Sequence, residues 1–279
     1  MTMMKKHTVL YGIIILLLFF CFPEVIISSS TSYYFRTLGI NDGLSQSTVN
    51  AILQDQKGFM WIGTKDGLNQ YDGQECRVFQ KENSSLGNNF ITALYEDCEG
   101  YIWVGTDAGV YIYNPVQEAF QFLDTEIAFS GEKITRAVTW ITSDSQNNIW
   151  ISVDNQGLFC YNRGKKNLTK VVSCGESGIA NVTHFWFYAG QLWIARYEDN
   201  LYVSKDNSSF NAFNDVDGED IFKGLVINSY VEGLHNCLYV GTSKGLMEIN
   251  LTSRKVRKLL DEYVRDICFR SDTDLWIGT

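Results

Sequence analysis

From residue 31 onward, apolar residues fall in short runs of four to seven, broken by glycine, aspartate and asparagine. No stretch after residue 30 keeps a 3.6-residue period with caps, so no helix is expected there. In "MWIG", Trp61 and Gly63 share one strand face, and Met60 and Ile62 share the other. Both faces are apolar, as in a strand buried on both sides. The same phrase returns along the chain. Its aromatic falls at Trp61, Trp103, Trp150, Trp193, Tyr239 and Trp276, at intervals of 42, 47, 43, 46 and 37 residues.

Each copy has one grammar. A β-rich run ("STVNAILQD", "FITALYED", "RAVTWITSD") is followed by a turn such as Gln56–Lys57–Gly58, then the aromatic phrase, a tight turn and two further runs. Four short strands in about 40–45 residues predict a β-propeller blade. The fold class expected is therefore all-β, a propeller of four-stranded blades. The glycine beside the tryptophan leaves room for a neighbouring ring. The Asp–Gly of "KDG" is a hairpin signal, because glycine takes φ > 0. The aspartates of the Asp-x-x-Gly turns, Asp55 and Asp97, are expected to bond local backbone amides, not to serve as catalytic acids.

Residues 1–30 are a separate object. Lys5 and Lys6 precede an apolar run from Val9 to Phe22, then Pro23, Glu24 and serines. That order is a secretory signal. The run of 14 residues is short of the roughly 20 that a spanning helix needs. A signal peptide over 1–30 is expected, with an uncleaved anchor as the alternative, and residues 31–279 form the propeller domain. The net charge of −9 argues against a nucleic-acid partner, since phosphate binding needs clustered Lys and Arg. Six cysteines follow residue 30 with no C-x-x-C, and are expected as small buried hydrophobes. His7, His184 and His235 show no ligand spacing, and neither a metal nor a cofactor is expected. "DVDGED" (215–220) resembles a calcium loop only faintly, lacking the terminal glutamate.

"GLSQSTVNAILQDQKGFMWIGTKDGLNQYDG" and "NFITALYEDCEGYIWVGTDAGVYIYN" resemble two-component regulator propeller repeats, with the resemblance running over residues 33–279. It implies the extracytoplasmic sensor region of a hybrid two-component system of the Bacteroidetes type. It also implies an oligosaccharide ligand, a periplasmic location and a homodimeric parent protein. Thr279 falls inside the second strand of a sixth repeat. The chain therefore reads as five blades plus part of a sixth, with a leading strand over Tyr33–Leu38 and no kinase or output domain. Such an open ring is expected to aggregate.

Ligand groups are expected on the loops at one end of the ring. The loops between second and third strands hold Lys65 and Asp66; Asp107; Asp154, Asn155 and Gln156; Arg196, Tyr197 and Glu198; and Ser243 and Lys244. Those of repeats three and four depart from the phrase ("ISVDNQGL", "IARYEDNL") and are one residue longer. They also mix planar polar groups with an aromatic, as a sugar site requires. The ligand-binding candidates are Asp154, Asn155, Gln156, Arg196, Tyr197 and Glu198. Drift into ordinary solvated turns is the competing reading. A small polar residue also recurs early in the first strand (Asn50, Thr92, Thr139, Thr183, then Arg265), either ringing the channel or bonding local backbone. A lyase or glycosidase of propeller fold, or a protein-interaction scaffold, are the alternatives to a non-enzymatic sensor. No P-loop and no H-E-x-x-H occurs.

Overall fold

A computed structural model describes residues 36–123, 133–173, 182–188, 190–206, 209–271 and 274–279. The expected signal peptide and Tyr33–Phe35 of the expected leading strand lie outside them. Arg36–Leu38 are in no strand. Residues 38–279 form one compact unit.

Blade one is β1 (Val49–Gln54), β2 (Met60–Thr64), β3 (Gly67–Tyr71) and β4 (Cys76–Phe79). Blade two is β5 (Ile91–Glu96), β6 (Ile102–Thr106), β7 (Gly109–Asn114) and β8 (Ala119–Phe122). Blade three is β9 (Val138–Ser143), β10 (Ile149–Val153), β11 (Gly157–Asn162) and β12 (Asn167–Ser173). Blade four is β13 (Val182–Tyr188), β14 (Gln191–Arg196), β15 (Leu201–Ser204) and the two-residue β16 (Asn211–Ala212). Blade five is β17 (Ile227–Glu232), β18 (Cys237–Thr242), β19 (Gly245–Asn250) and β20 (Lys255–Leu260). β21 (Asp266–Phe269) and β22 (Leu275–Gly278) make a two-stranded sheet. Every sheet is an antiparallel meander in chain order. First strands adjoin from blade to blade, β1 beside β5, β5 beside β9, and so on to β17 beside β21. That is the radial order of a propeller, with first strands innermost. The expected all-β blades are thus present. The sole helical piece among the described residues is a 3₁₀ turn at Ile40–Asp42.

The repeated phrase is built for this packing. β6 and β10 are buried at all positions. A Cβ on Gly63 would stand 2.5 Å from Ile91 Cγ2, and one on Gly105 would stand 2.7 Å from Val138 Cγ1. Both neighbours open the first strand of the next blade. The room is therefore for an aliphatic side chain of the next inner strand, not for the ring expected from sequence. A ring could not follow the inner strand's close approach.

The turn aspartates act as expected. Lys57 and Phe59 amides donate to Asp55 Oδ1, and Trp61 Nε1 donates to Oδ2 at 2.8 Å. Asp97 and Asp144 repeat the set, with Trp103 and Trp150 at 2.7 and 2.9 Å. "DVDGED" is the same device. Asp215 Oδ1 accepts from the amides of Asp217 and Glu219.

The recurring small polar residue is a β-bulge. In all five blades the first strand slips register there, at Asn50, Thr92, Thr139, Thr183 and a further member, Asn228. Asn50 Nδ2 donates to Ile91 O at 2.8 Å, Thr139 Oγ1 to Val182 O at 3.2 Å, and Asn228 Nδ2 to Val264 O at 2.7 Å. These bonds join one blade to the next. Thr183 stays in its own blade, on Ala195 O. Two of the cysteines correct the expectation of burial: Cys98 and Cys268 are exposed. Cys76, Cys160 and Cys237 are half-buried, with Cys160 inside β11 packed against the core, and Cys174 lies outside the described residues.

Candidate functional site

Two sets of loops meet at one end of the blades, here the loop end. Asp107 N donates to Phe90 O, Asp154 N to Ala137 O, and Ser243 N to Val226 O. Each bond ties a loop between second and third strands to the lead-in of a first strand. In blades one, two and five a threonine closes this loop. Thr64 Oγ1 accepts from Asp66 N and donates to Gly67 O, and Thr106 and Thr242 do the same. Gly241–Gly245 spells G-x-S-x-G, but it forms this hairpin between two strands, not a strand-to-helix elbow. Ser243 Oγ accepts from Val226 N.

Blades three and four lack that threonine, and their extra residue is absorbed by left-handed backbone at Asn155 (φ 50°) and Glu198 (φ 49°). In blade three, Gln156 is spent on its own lead-in. Its Oε1 accepts from Thr135 N at 3.1 Å and its Nε2 donates to Lys133 O. Asn155 Nδ2 donates to Asp154 Oδ2 at 3.0 Å. In blade four, Arg196 is fixed by Asp199 at 2.6 Å and by Tyr202 Oη at 3.2 Å. Tyr202 Oη in turn donates to Asp199 Oδ2 at 3.1 Å. Burial, and then this bond to Asp199, push the Tyr202 phenol up. Gly224 N on Asp199 O ties the loop to the next blade.

Of the six candidates, Gln156 and Arg196 are therefore held inside their loops. Tyr197 (53% exposed) and Glu198 face solvent. Among the described residues no hydrogen bond or ion pair joins the two loops. Asp199 and Tyr202, which orient Arg196, are not among the six candidates. Asp199 shows in the sequence only as a carboxylate beside Glu198 that breaks the repeat, and Tyr202 only by its spacing of six residues from Arg196.

Away from the loops, blades three and four also fill the inner strands. Trp140 and His184 occupy the position held by Ala51 and Ala93 in blades one and two, and their rings lie 4.8 Å apart. Trp140 reaches Tyr230 of blade five at 6.5 Å. Burial pulls His184 down to about 4, opposed by a hydrogen bond with the Ile227 backbone.

Blades, threonine-closed hairpins and loop end define a repeat propeller, and comparison places the repeat type. Residues 43–66 and 85–108 match the two-component regulator propeller model. These two segments of blades one and two thus match two-component regulator propeller repeats. The chain is similar to the extracellular domain of the hybrid two-component system BT3049 from B. thetaiotaomicron. The identity is 26% and the TM-score 0.72, over 89% of this chain and 34% of that one. A 69-residue stretch, 25% of this chain, is 35% identical to Histidine kinase P4 of Formosa agariphila, covering 5% of that protein. The chain thus spans about a third of the first of these relatives and 5% of the second. Virginiamycin B lyase from Staphylococcus aureus shares the fold, at 12% identity and TM-score 0.61, over 85% of this chain and 78% of that one. No helix among the described residues is long and apolar enough to cross a membrane.

Proposed function

We propose that this chain is the ligand-binding part of an extracytoplasmic, periplasmic sensor of a hybrid two-component system, and that it binds an oligosaccharide without transforming it. The sensor reading draws on the similarity to an extracellular hybrid-system domain. The ligand reading rests on one observation. Where blades three and four abandon the threonine hairpin, blade four presents Tyr197 to solvent on a loop braced by Arg196, Asp199 and Tyr202. A braced aromatic flanked by Glu198, with Asp154 and Asn155 on the next blade, offers a ring to stack on and planar groups for hydroxyls. Assembly of the parent as a homodimer would carry binding across the membrane.

The test is a glycan array with the full chain, followed by titration of the best binder. One saturable oligosaccharide is expected, weakened about tenfold by Tyr197→Ala, in keeping with ~1–2 kcal/mol for an aromatic contact. Conversion of the bound glycan to product would favour the lyase-type reading instead. No binder at all would overturn the proposal.

A further inference from the structure

At the opposite end of blade four, the turn end, a cavity of about 610 Å³ opens between that blade and blade five. Such a volume is in the range of small-molecule sites. Its origin is a lost turn. Tyr188 and Gln191 pair where Asp55 and Phe59 face each other in blade one, so the Asp-x-x-Gly turn is gone. Trp193, the repeat tryptophan, is 3% exposed, and its Nε1 has no hydrogen-bond partner among the described residues. In the first three blades that group bonds the aspartate. A buried donor left unmade costs about 1–3 kcal/mol, so blade four carries a penalty that blades one to three avoid. β16, only two residues long, leaves the outer edge of the blade open beside it.

The lining has two chemistries. Half-buried Tyr188 supplies ring surface, packed against the buried cluster that holds Trp193 and Phe213, and its Oη is held by Asn236 of blade five at 3.2 Å. Around them stand unspent donors. The Lys205 ammonium has no partner among the described residues. Arg254 gives Nε and Nη2 to Asn214 O at 3.1 and 2.7 Å, and its Nη1 remains. The side-chain amides of Gln191 and Asn211 also make no bond among the described residues. The one carboxylate, Asp206, is engaged by Ser204 Oγ and by the amide and hydroxyl of Ser209. Two cations against one carboxylate leave the cavity with an excess of positive charge, in a chain of net charge −9.

We propose that this cavity binds a carboxylated sugar ring, its ring face on Tyr188, its carboxylate on Lys205 and Arg254, and its hydroxyls on Gln191 and Asn211. Ring surface alone would take a neutral sugar or an aromatic. The two cations select the acid, and the two amides select hydroxyls over a bare aromatic carboxylate. This site is distinct from the loops of the proposed function and does not depend on it.

Glucuronate, glucose and benzoate are titrated against the full chain by calorimetry and saturation-transfer NMR. Glucuronate is expected to bind at least tenfold tighter than either competitor. Lys205→Ala should weaken it about tenfold and Lys205→Arg should restore it. Tyr197→Ala, at the far end, should leave it unchanged. Lys205 is exposed, so its variants keep the fold. Equal binding of glucose or benzoate, indifference to Lys205→Ala, or loss on Tyr197→Ala would each overturn the proposal. A blank glycan array alongside intact glucuronate binding would sink the loop-end reading alone.

Discussion

Asp97 accepts from the amides of Glu99 and Tyr101 and from Trp103, and it also pairs with Arg163 of blade three at 3.0 Å while 2% exposed. Asp55 makes the same turn and indole bonds without an arginine. Removing an acceptor strands its donors, and Asp97→Ala would also leave a guanidinium facing an emptied site. Asp97→Ala should therefore cost about 3 kcal/mol or more, and Asp55→Ala about 1–2 kcal/mol. Urea midpoints at an unchanged m-value check the ranking; equal costs would remove Arg163 from the argument. His184 makes a second residue-scale prediction. Its folded value of about 4 lies below the unfolded 6.5, so the unfolded chain binds the extra proton between them. Stability therefore falls as pH drops from about 6.5 to about 4 and levels off below, a loss of roughly 3 kcal/mol at most. His184→Gln should flatten that part of the pH–stability curve. An unaltered slope would show that carboxylates alone set it.

At the scale of the element, the blade's parts divide sharply in how legible they are. The aspartate turns and the phrase Trp-x-Gly-Thr recur, so their turn chemistry was legible in the sequence, whereas the neighbour that Gly63 and Gly105 admit was not. The bulge was visible only as a recurring small polar residue. Its work of bonding the next blade's carbonyl needs the register, since a polar side chain in a strand does not say which neighbour it meets. The cavity at blade four was hidden for the opposite reason. It arises where Tyr188 replaces an aspartate, and an absence has no motif. Its one trace in the sequence is the turn of repeat four, where Tyr188 stands in place of Asp55, Asp97 and Asp144. The bulge makes its own prediction. Asn50→Ala frees the Ile91 carbonyl and should cost about 1 kcal/mol, whereas Thr92→Ala should cost less, because Thr92 Oγ1 has no partner among the described residues. Thermal melts of the two variants decide it, and a larger loss for Thr92→Ala would refute the link between bulge and blade.

Across the whole molecule, blades touch mainly their neighbours through adjoining first strands, with Trp140 reaching past blade four to Tyr230. Stability in such an array is close to a sum of blade and interface contributions. A lesion at one interface should then act locally. Gly105→Ala is a clean lesion, because its Cβ would sit 2.7 Å from Val138 Cγ1 and 2.8 Å from Val138 Cβ, and neither can move without shifting β9. Overpacking of this kind costs about 1–3 kcal/mol. Amide hydrogen exchange on this variant should rise in β6 and β9, on the two sides of the interface, while β18 and β19 keep their protection. Trp140 is the one route by which the disturbance could travel further, through β9 to Tyr230. If β17 responds along with β9 in Gly105→Ala but not in Gly105→Ala/Trp140→Ala, the aromatic bridge carries the coupling. If every blade loses protection equally, the five blades unfold as one unit, and the nearest-neighbour picture fails.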